Sequence, residues 1–249
     1  MRTLQAVFWD VDGTLADTEL SGHRPSFNNS FKSFNLDWFW DIPLYIELLH
    51  VQGGFNRIKE YARLRKIELS DHLISQIHYK KQQYYKTLVH EGYIPLRIGV
   101  KRLVSELHEN NIDQWIVTTS SKHAVDSLLR HNFQGNQPFK GAITYEDVVS
   151  HKPNPEAYQK ALVQSGQNPC NCLTIEDSIP GLTAARSASI PCLLTLTDWN
   201  KYTHDSMSSS SAVVNNLGEN DSPCKIFQGI SCQEGLITVK YLQDLINSI

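Results

Sequence analysis

Hydrophobic positions take two textures along this chain. Leu4 to Trp9 is a continuous apolar run that stops at Asp10, the pattern of a strand buried on both faces. From about Asp17 to Phe34 the spacing turns helical, with Phe27, Phe31 and Phe34 at i, i+4 and i+7 on one face; these aromatics read as core. The pattern stays helical to about Glu91, interrupted at Gly53-Gly54. From Pro95 strands and helices alternate. Val100, Leu103, Val104 and Leu107 line an amphipathic helix, and Gln114 to Thr118 forms a strand. Ala124, Val125, Leu128 and Leu129 line another helix, followed by a short strand from Gly141 to Thr144. Asn154 is placed to cap a helix that Pro155 starts and Tyr158, Ala161 and Leu162 continue. Leu173 to Ile175, Gly181 to Ser187 and Cys192 to Leu196 then read strand, helix, strand. After Asp198 the regularity fades. Ser206 to Ser211 reads as a loop, and Ile237 to Val239 and Leu242 to Ile246 are compatible with a final strand and helix.

Strands alternating with helices imply right-handed crossovers and a parallel sheet covered on both faces, a Rossmann-like α/β core. The helical block interrupts this alternation just after the first strand. The expected organisation is therefore an α/β core from 1–17 and 93–249, with an all-helical domain, 18–92, inserted into it.

Composition narrows the function. A net charge of −3 and a pI near 6.4 give no global attraction to nucleic acid. No apolar run approaches the roughly 18 residues that cross a bilayer, and Leu4 to Trp9 meets Asp10 without a small-residue cleavage site. A cytoplasmic, monomeric protein with neither nucleic-acid nor membrane partners is expected. Five cysteines form no Cys-x-x-Cys pair; Cys170 and Cys172 read as reduced thiols entering a strand.

Four segments at expected strand ends carry groups suited to one reaction, because ligands of open parallel sheets sit beyond the carboxyl ends of the strands. In Asp10-Val11-Asp12-Gly13-Thr14 two carboxylates one residue apart point the same way, and Gly13 permits a sharp turn. One can attack phosphorus while the other manages a proton. Such a turn occurs in other α/β proteins, but strand-D-x-D-G-T is narrower. Thr118-Thr119-Ser120-Ser121 offers hydroxyls and N–H groups before a helix, either as a phosphate cradle or as a plain cap. Lys152, in His151-Lys152-Pro153-Asn154-Pro155, can neutralise a transferring phosphoryl group. Glu176-Asp177-Ser178 supplies hard oxygen ligands of the kind magnesium takes. The charges also close. Asp10, Asp12, Glu176 and Asp177 bring four negatives, magnesium and Lys152 return three positives, and a proton on Asp12 removes the remainder.

Asp10-Val-Asp-Gly-Thr-Leu15, Thr119, Lys152-Pro-Asn-Pro155 and Glu176-Asp-Ser-x-x-Gly181 resemble the four motifs of haloacid-dehalogenase-type phosphatases and phosphomutases. The helical insertion resembles the cap of β-phosphoglucomutase-like members. The similarity is greater still to CbbY-type sugar-phosphate phosphatases, in Asp10 to Glu19, His23-Arg24, Asn35 to Asp41, Leu44-Tyr45, Gly53-Gly54-x-x-Arg57, Leu217-Gly218 and the tail from Gly235. The resemblance implies that Asp10 becomes phosphorylated and that Asp12 protonates the leaving alcohol and then activates water. It implies that Asp10, the backbone carbonyl of Asp12 and Asp177 hold Mg2+, with Glu176 beside or just behind, and that Thr119 and Lys152 grip the phosphoryl group. Glu19, His23, Tyr45, Arg57 and Ser120 are the candidates for binding the sugar phosphate. Glu19 and His23 could equally share a helix face by spacing alone, and Arg57 could be solvated. The stretch from Arg57 to Lys81 holds seven basic residues against three acids, a pattern commonest on solvated helices but able to draw an anion.

One departure bears on substrate. CbbY-type enzymes acting on xylulose-1,5-bisphosphate resemble one another in a Gly-Gly-Lys-Glu-Arg run, where this chain has Phe55 and Asn56 at the Lys and Glu places. The expected activity is thus magnesium-dependent removal of phosphate from a small sugar phosphate or bisphosphate. The alternatives are a sugar phosphomutase, sharing every catalytic residue, and a non-catalytic sugar-phosphate-binding protein, which degraded motifs would favour.

Overall fold

In a computed structural model, which describes residues 2–51, 53–134 and 137–249, strand β1 (Ala6–Trp9) leads through a π-helical turn, Glu19–His23, into α1 (Arg24–Ser33). Helices α2 (Ile42–Leu48), α3 (Gly54–Leu64), α4 (Asp71–His90) and α5 (Val100–Glu109) follow. The chain continues with β2 (Asp113–Val117), α6 (Lys122–Asn132), β3 (Gly141–Ile143), α7 (Glu156–Ser165), β4 (Cys172–Glu176), α8 (Ile179–Ser187) and β5 (Cys192–Thr195). A one-turn helix, α9 (His204–Met207), precedes β6 (Ala212–Val214), β7 (Ile226–Gln228) and α10 (Val239–Asn247). The chain divides into two compact units, Met1–Ala16 with Leu96–Ile249, and Asp17–Pro95.

The first unit holds one seven-stranded sheet, ordered β3-β2-β1-β4-β5-β6-β7, parallel except for the final β6–β7 pair. All four residues of β1 and all five of β4 are buried, as the uninterrupted apolar runs require. Chain order reverses between β1 and β4. After β1 the chain builds outward through β2 and β3, then returns to build β4 and β5 on the other side, which makes the carboxyl ends of β1 and β4 the natural ligand crevice. Burial of Phe8, Val117, Tyr158, Ala161, Leu182 and Leu194 in one apolar cluster fixes α7 and α8 against the sheet.

Several boundaries differ from the sequence expectation. The helix expected to start at Pro155 under an Asn154 cap begins one residue later, at Glu156, with Pro155 itself at the cap; Asn154 Oδ1 still accepts from the Glu156 N–H at 3.0 Å. Ile237 is buried but belongs to no strand, because Thr238 caps α10 by accepting from the Tyr241 N–H. The tail instead supplies β6 and β7, three residues each and defined by their partners rather than by their own pattern.

The unit from Asp17 to Pro95 has its own core of Phe27, Phe31, Trp38, Trp40, Tyr45, Leu48, Ile58, Tyr61, Ile74 and Ile77. It is not helical throughout. Residues 35–41 run without helix, and Trp38 and Trp40 turn inward while Phe39 stays exposed. Asn28 clamps this segment, accepting from the Trp40 N–H at 2.8 Å and donating to the Trp40 carbonyl at 2.9 Å. Phe34 is half-buried because α1 has ended at Ser33.

Candidate active site

The loops that follow β1, β2 and β3, together with the end of β4, meet at the carboxyl edge of the sheet. Asp10 follows β1 directly and is buried. Lys152 donates to Asp10 Oδ1 at 2.7 Å, to Glu176 Oε1 at 2.6 Å and to the Val117 carbonyl at 2.8 Å, so one ammonium ties the loop after β3 to three neighbouring strand ends. Only 5% of its side chain is exposed. Burial opposes the charge on Lys152, but Asp10 and then Glu176 outweigh it and hold the amine above the ordinary lysine range.

Glu176, the last residue of β4, is fully buried and saturated. Its Oε1 also accepts from Tyr158 at 2.5 Å, and its Oε2 accepts from Ser178 at 3.4 Å. A Cβ at Gly181 would come within 1.9 Å of Oε2, so glycine there lets α8 approach the carboxylate. Burial, then the charge on Asp10, raises Glu176 to about 7 despite Lys152. Its bonds make it the anchor of Lys152.

Asp177 is held from behind by residues that no motif identified. Asn200 donates to its Oδ2 at 2.8 Å and to its carbonyl at 3.0 Å, and the Tyr202 hydroxyl donates to the same carbonyl. Burial, then Asp10 and Glu176, drives the Asp177 carboxyl well above the usual carboxylate range. Gly13, at φ +84°, faces it so closely that a Cβ would stand 2.1 Å from Oδ2. Arg97 fixes the turn itself: its guanidinium donates to the Gly13 carbonyl, to Thr195 Oγ1 at 3.0 Å, to the Leu196 carbonyl at 2.7 Å and to the Asn215 carbonyl at 3.0 Å. Tyr158, Arg97, Asn200 and Tyr202 carry no local signal, since their roles exist only once distant strands are adjacent.

The other predicted residues of this unit are placed as follows. Asp12 is half-buried and accepts from the Ser120 hydroxyl, so Ser120 positions the second acid. Thr118 is buried and its Oγ1 accepts from the Ser120 N–H at 3.1 Å. Ser121 caps α6 through the Ala124 N–H. Thr119 is exposed, and its hydroxyl has no hydrogen-bond partner among the described residues. Asp10, Glu176 and Asp177 can each offer an oxygen within 4.8 Å of the others; the Asp12 carboxylate is outside this group. Asp10 Oδ2 and Asp177 Oδ1 have no hydrogen bond among the described residues, while Glu176 is committed to Lys152, Tyr158 and Ser178. A buried all-oxygen donor set with excess negative charge fits a hard divalent cation such as Mg2+.

In the second unit Tyr45 donates to Glu19 Oε2 at 2.6 Å, and Arg57 donates to the Tyr45 hydroxyl at 3.3 Å and to the Leu48 carbonyl at 3.1 Å. Arg57 is 8% exposed, stacked over Phe27 and Tyr45 rather than solvated. Lys81, counted in sequence as one more surface lysine, is 4% exposed and its ammonium lies 2.8 Å from His23 Nδ1. Burial pushes Lys81 down to about 8, Glu19 opposing and Arg57 adding to the shift. Burial and then Lys81 and Arg57 keep His23 well below its usual value, which leaves Nδ1 free to accept. Glu19, His23, Tyr45 and Arg57 thus form one group, with Lys81 as its unpredicted member. Phe55 is half-buried against the apolar core.

A model of the haloacid dehalogenase-like hydrolases matches residues 4–189. The plasmid-encoded CbbY of Cupriavidus necator is 36% identical over 227 residues, covering 88% of each chain. The crystal structure of a mutant CbbY from Rhodobacter sphaeroides in complex with xylulose-(1,5)bisphosphate is 31% identical, with a TM-score of 0.68 over 87% of this chain and 97% of that one. A structure described as a β-phosphoglucomutase from Thermotoga maritima, at 21% identity and a TM-score of 0.67 over 85% and 94% of the two chains, shares the fold. Among the described residues no helix is long and apolar enough to cross a membrane.

Proposed function

This chain belongs to the haloacid dehalogenase-like hydrolases and, within them, to the CbbY-type phosphatases; from that premise we propose that it hydrolyses a small sugar phosphate or bisphosphate through a phosphoryl group carried on Asp10. The observation that carries this reading is the Lys152 ammonium bridging Asp10 and Glu176 inside a buried acidic group. Asp10 attacks phosphorus, the phosphorus–alcohol bond breaks, and Asp12 gives its proton to the departing oxygen. Water, losing a proton to Asp12, then attacks the same phosphorus and releases Asp10 with inorganic phosphate. Ser120 holds the Asp12 carboxyl for both transfers. Lys152 keeps Asp10 ionised and aimed, and Thr119, exposed at the same edge, takes a phosphoryl oxygen. Asp10, Asp177 and the Asp12 carbonyl would hold a Mg2+ ion, which would supply positive charge to the phosphoryl oxygens.

Residues 18–92 act as the selectivity domain. Two buried cations, Arg57 and Lys81, against the one acid Glu19 support recognition of an anionic part of the substrate. Xylulose-1,5-bisphosphate, the ligand in the Rhodobacter sphaeroides structure, is the first substrate to test. A screen of sugar mono- and bisphosphates with Mg2+, using Asp10→Asn as the blank, tests the proposal. Phosphate release that requires both Asp10 and the metal is expected. Equal release by variant and wild type would remove Asp10 as nucleophile, and isomerised sugar phosphate without free phosphate would indicate a mutase.

A further inference from the structure

Cys224 and Cys232 bring their sulfur atoms to 3.4 Å, unbonded, on either side of β7. Both flanks are fixed. The Cys224 N–H donates to the Gly235 carbonyl at 2.8 Å, and the Tyr241 hydroxyl donates to the Ile230 carbonyl at 3.2 Å. A Cβ at Gly235, where φ is +68°, would come within 2.4 Å of Pro223, so the segments carrying the two sulfurs are pressed together. A disulfide bond of about 2.0 Å needs the sulfurs to close by roughly 1.4 Å, within the reach of side-chain rotation. The other cysteines are engaged elsewhere: Cys172 donates to the Asn168 carbonyl, Cys170 to Asn171 Oδ1, and Cys192 is buried.

We propose that Cys224 and Cys232 are an oxidisable dithiol, a modification site that takes a small-molecule disulfide of the glutathione class and closes to an intrachain disulfide. Cys232, the more exposed of the two, gives its proton to solvent and its thiolate attacks one sulfur of the small disulfide. That sulfur–sulfur bond breaks, and one small thiol leaves with a proton from solvent. Cys224 then loses its proton and attacks the Cys232 sulfur of the mixed disulfide, expelling the second small thiol. The chain gives up two electrons and two protons, and the small disulfide takes both. Burial and the neighbouring Cys232 sulfur push the Cys224 thiol up to about 12, which leaves the first attack on the small disulfide to the more exposed Cys232.

The ring so closed includes β7. Within it the Lys225 N–H donates to Asn215 Oδ1 at 2.7 Å, and the Asn215 carbonyl in turn accepts from Arg97, the residue that fixes the Gly13 turn. Oxidation therefore pins the outer edge of the sheet three hydrogen bonds from the catalytic loop, through Lys225, Asn215, Arg97 and Gly13.

The test uses the full chain in graded mixtures of reduced and oxidised glutathione, quenched by alkylation and cleaved after lysine and arginine. Lys225 lies between the two cysteines, so cleavage separates them and only a disulfide keeps the fragments joined. Joined fragments, lighter by two hydrogens and formed before Cys170, Cys172 or Cys192 react, are expected. Cys224→Ser should trap the small-thiol adduct on Cys232, whereas Cys232→Ser should slow modification of Cys224 by about tenfold or more. A wild-type chain that accumulates the adduct on Cys232 without joining would overturn the proposal. Modification of Cys224 in Cys232→Ser as fast as that of Cys232 in the wild type would overturn the order of attack.

Discussion

Removing the Lys152 ammonium would leave Asp10 and Glu176 facing each other without a cation where neither meets bulk water. Lys152→Met should therefore lower kcat/KM by about 10³-fold or more, as losing a transition-state charge does. It should also lower the melting temperature, since an unpaired buried carboxylate is costly. Lys152→Arg should not restore activity, because the planar guanidinium cannot make the three short bonds of a point-like ammonium; steady-state kinetics and thermal melts of both variants check this. Asp177 gives a pH signature. Its folded-state value is raised above the unfolded one, as is that of Glu176, at about 7. The folded chain thus binds more protons than the unfolded one near neutrality, and stability is lost as pH rises through the folded values. In chelator, the contribution of these acids to the urea midpoint should fall as pH rises toward about 7, while His23, held below its usual value, contributes in the opposite sense. Asp177→Asn should therefore flatten the falling contribution, and Mg2+ should stabilise most at the higher pH. A pH profile identical in the wild type and in Asp177→Asn would contradict the placement of these acids.

Trp40 shows how an element can be built against its local pattern. It lies in a non-helical stretch inside a helical block, clamped by Asn28 and packed on Phe27 at 4.7 Å and edge-on to Phe31 at 4.7 Å. Trp40→Ala should destabilise the Asp17–Pro95 unit by about 3–5 kcal/mol. Trp40→Phe should cost less than half of that, because it keeps the ring contacts and deletes an indole N–H that has no partner; urea unfolding followed by helical circular dichroism measures both. The sequence revealed elements where periodicity was strong and burial two-sided, as in β1, β2, β4, α5 and α6. It missed the 35–41 segment because the Asn28 clamp acts across twelve residues, and it missed β7 because an edge strand of three residues has no pattern apart from its neighbour. The candidate site was legible where chemistry is local, in Asp10, Asp12, Lys152, Glu176 and Asp177. It was illegible where a polar residue gains its role from a distant strand end, as with Arg97, Asn200 and Tyr202.

At the scale of the whole molecule, the chain forms two units, each with its own apolar core, and the proposed function assigns the chemistry to one and selectivity to the other. Arg57 belongs to the second, where its guanidinium is braced by the Leu48 carbonyl and by Tyr45. Arg57→Ala should raise KM for phosphorylated sugars more than for p-nitrophenyl phosphate, which has neither the hydroxyls nor the second phosphate of a sugar bisphosphate. An identical change for both would remove Arg57 from recognition. The span of Arg97 sets a further condition. Its acceptors run from Gly13 to Asn215, and Asp177 leans on Asn200 and Tyr202. Synthesis from the N-terminus therefore delivers the nucleophile first and its scaffolding last. A nascent chain that ends before residue 215 already carries Lys152 beside Asp10, but Arg97 still lacks the Asn215 carbonyl with which it braces the Gly13 turn, so the loop after β1 is fully held only once the last strands have emerged.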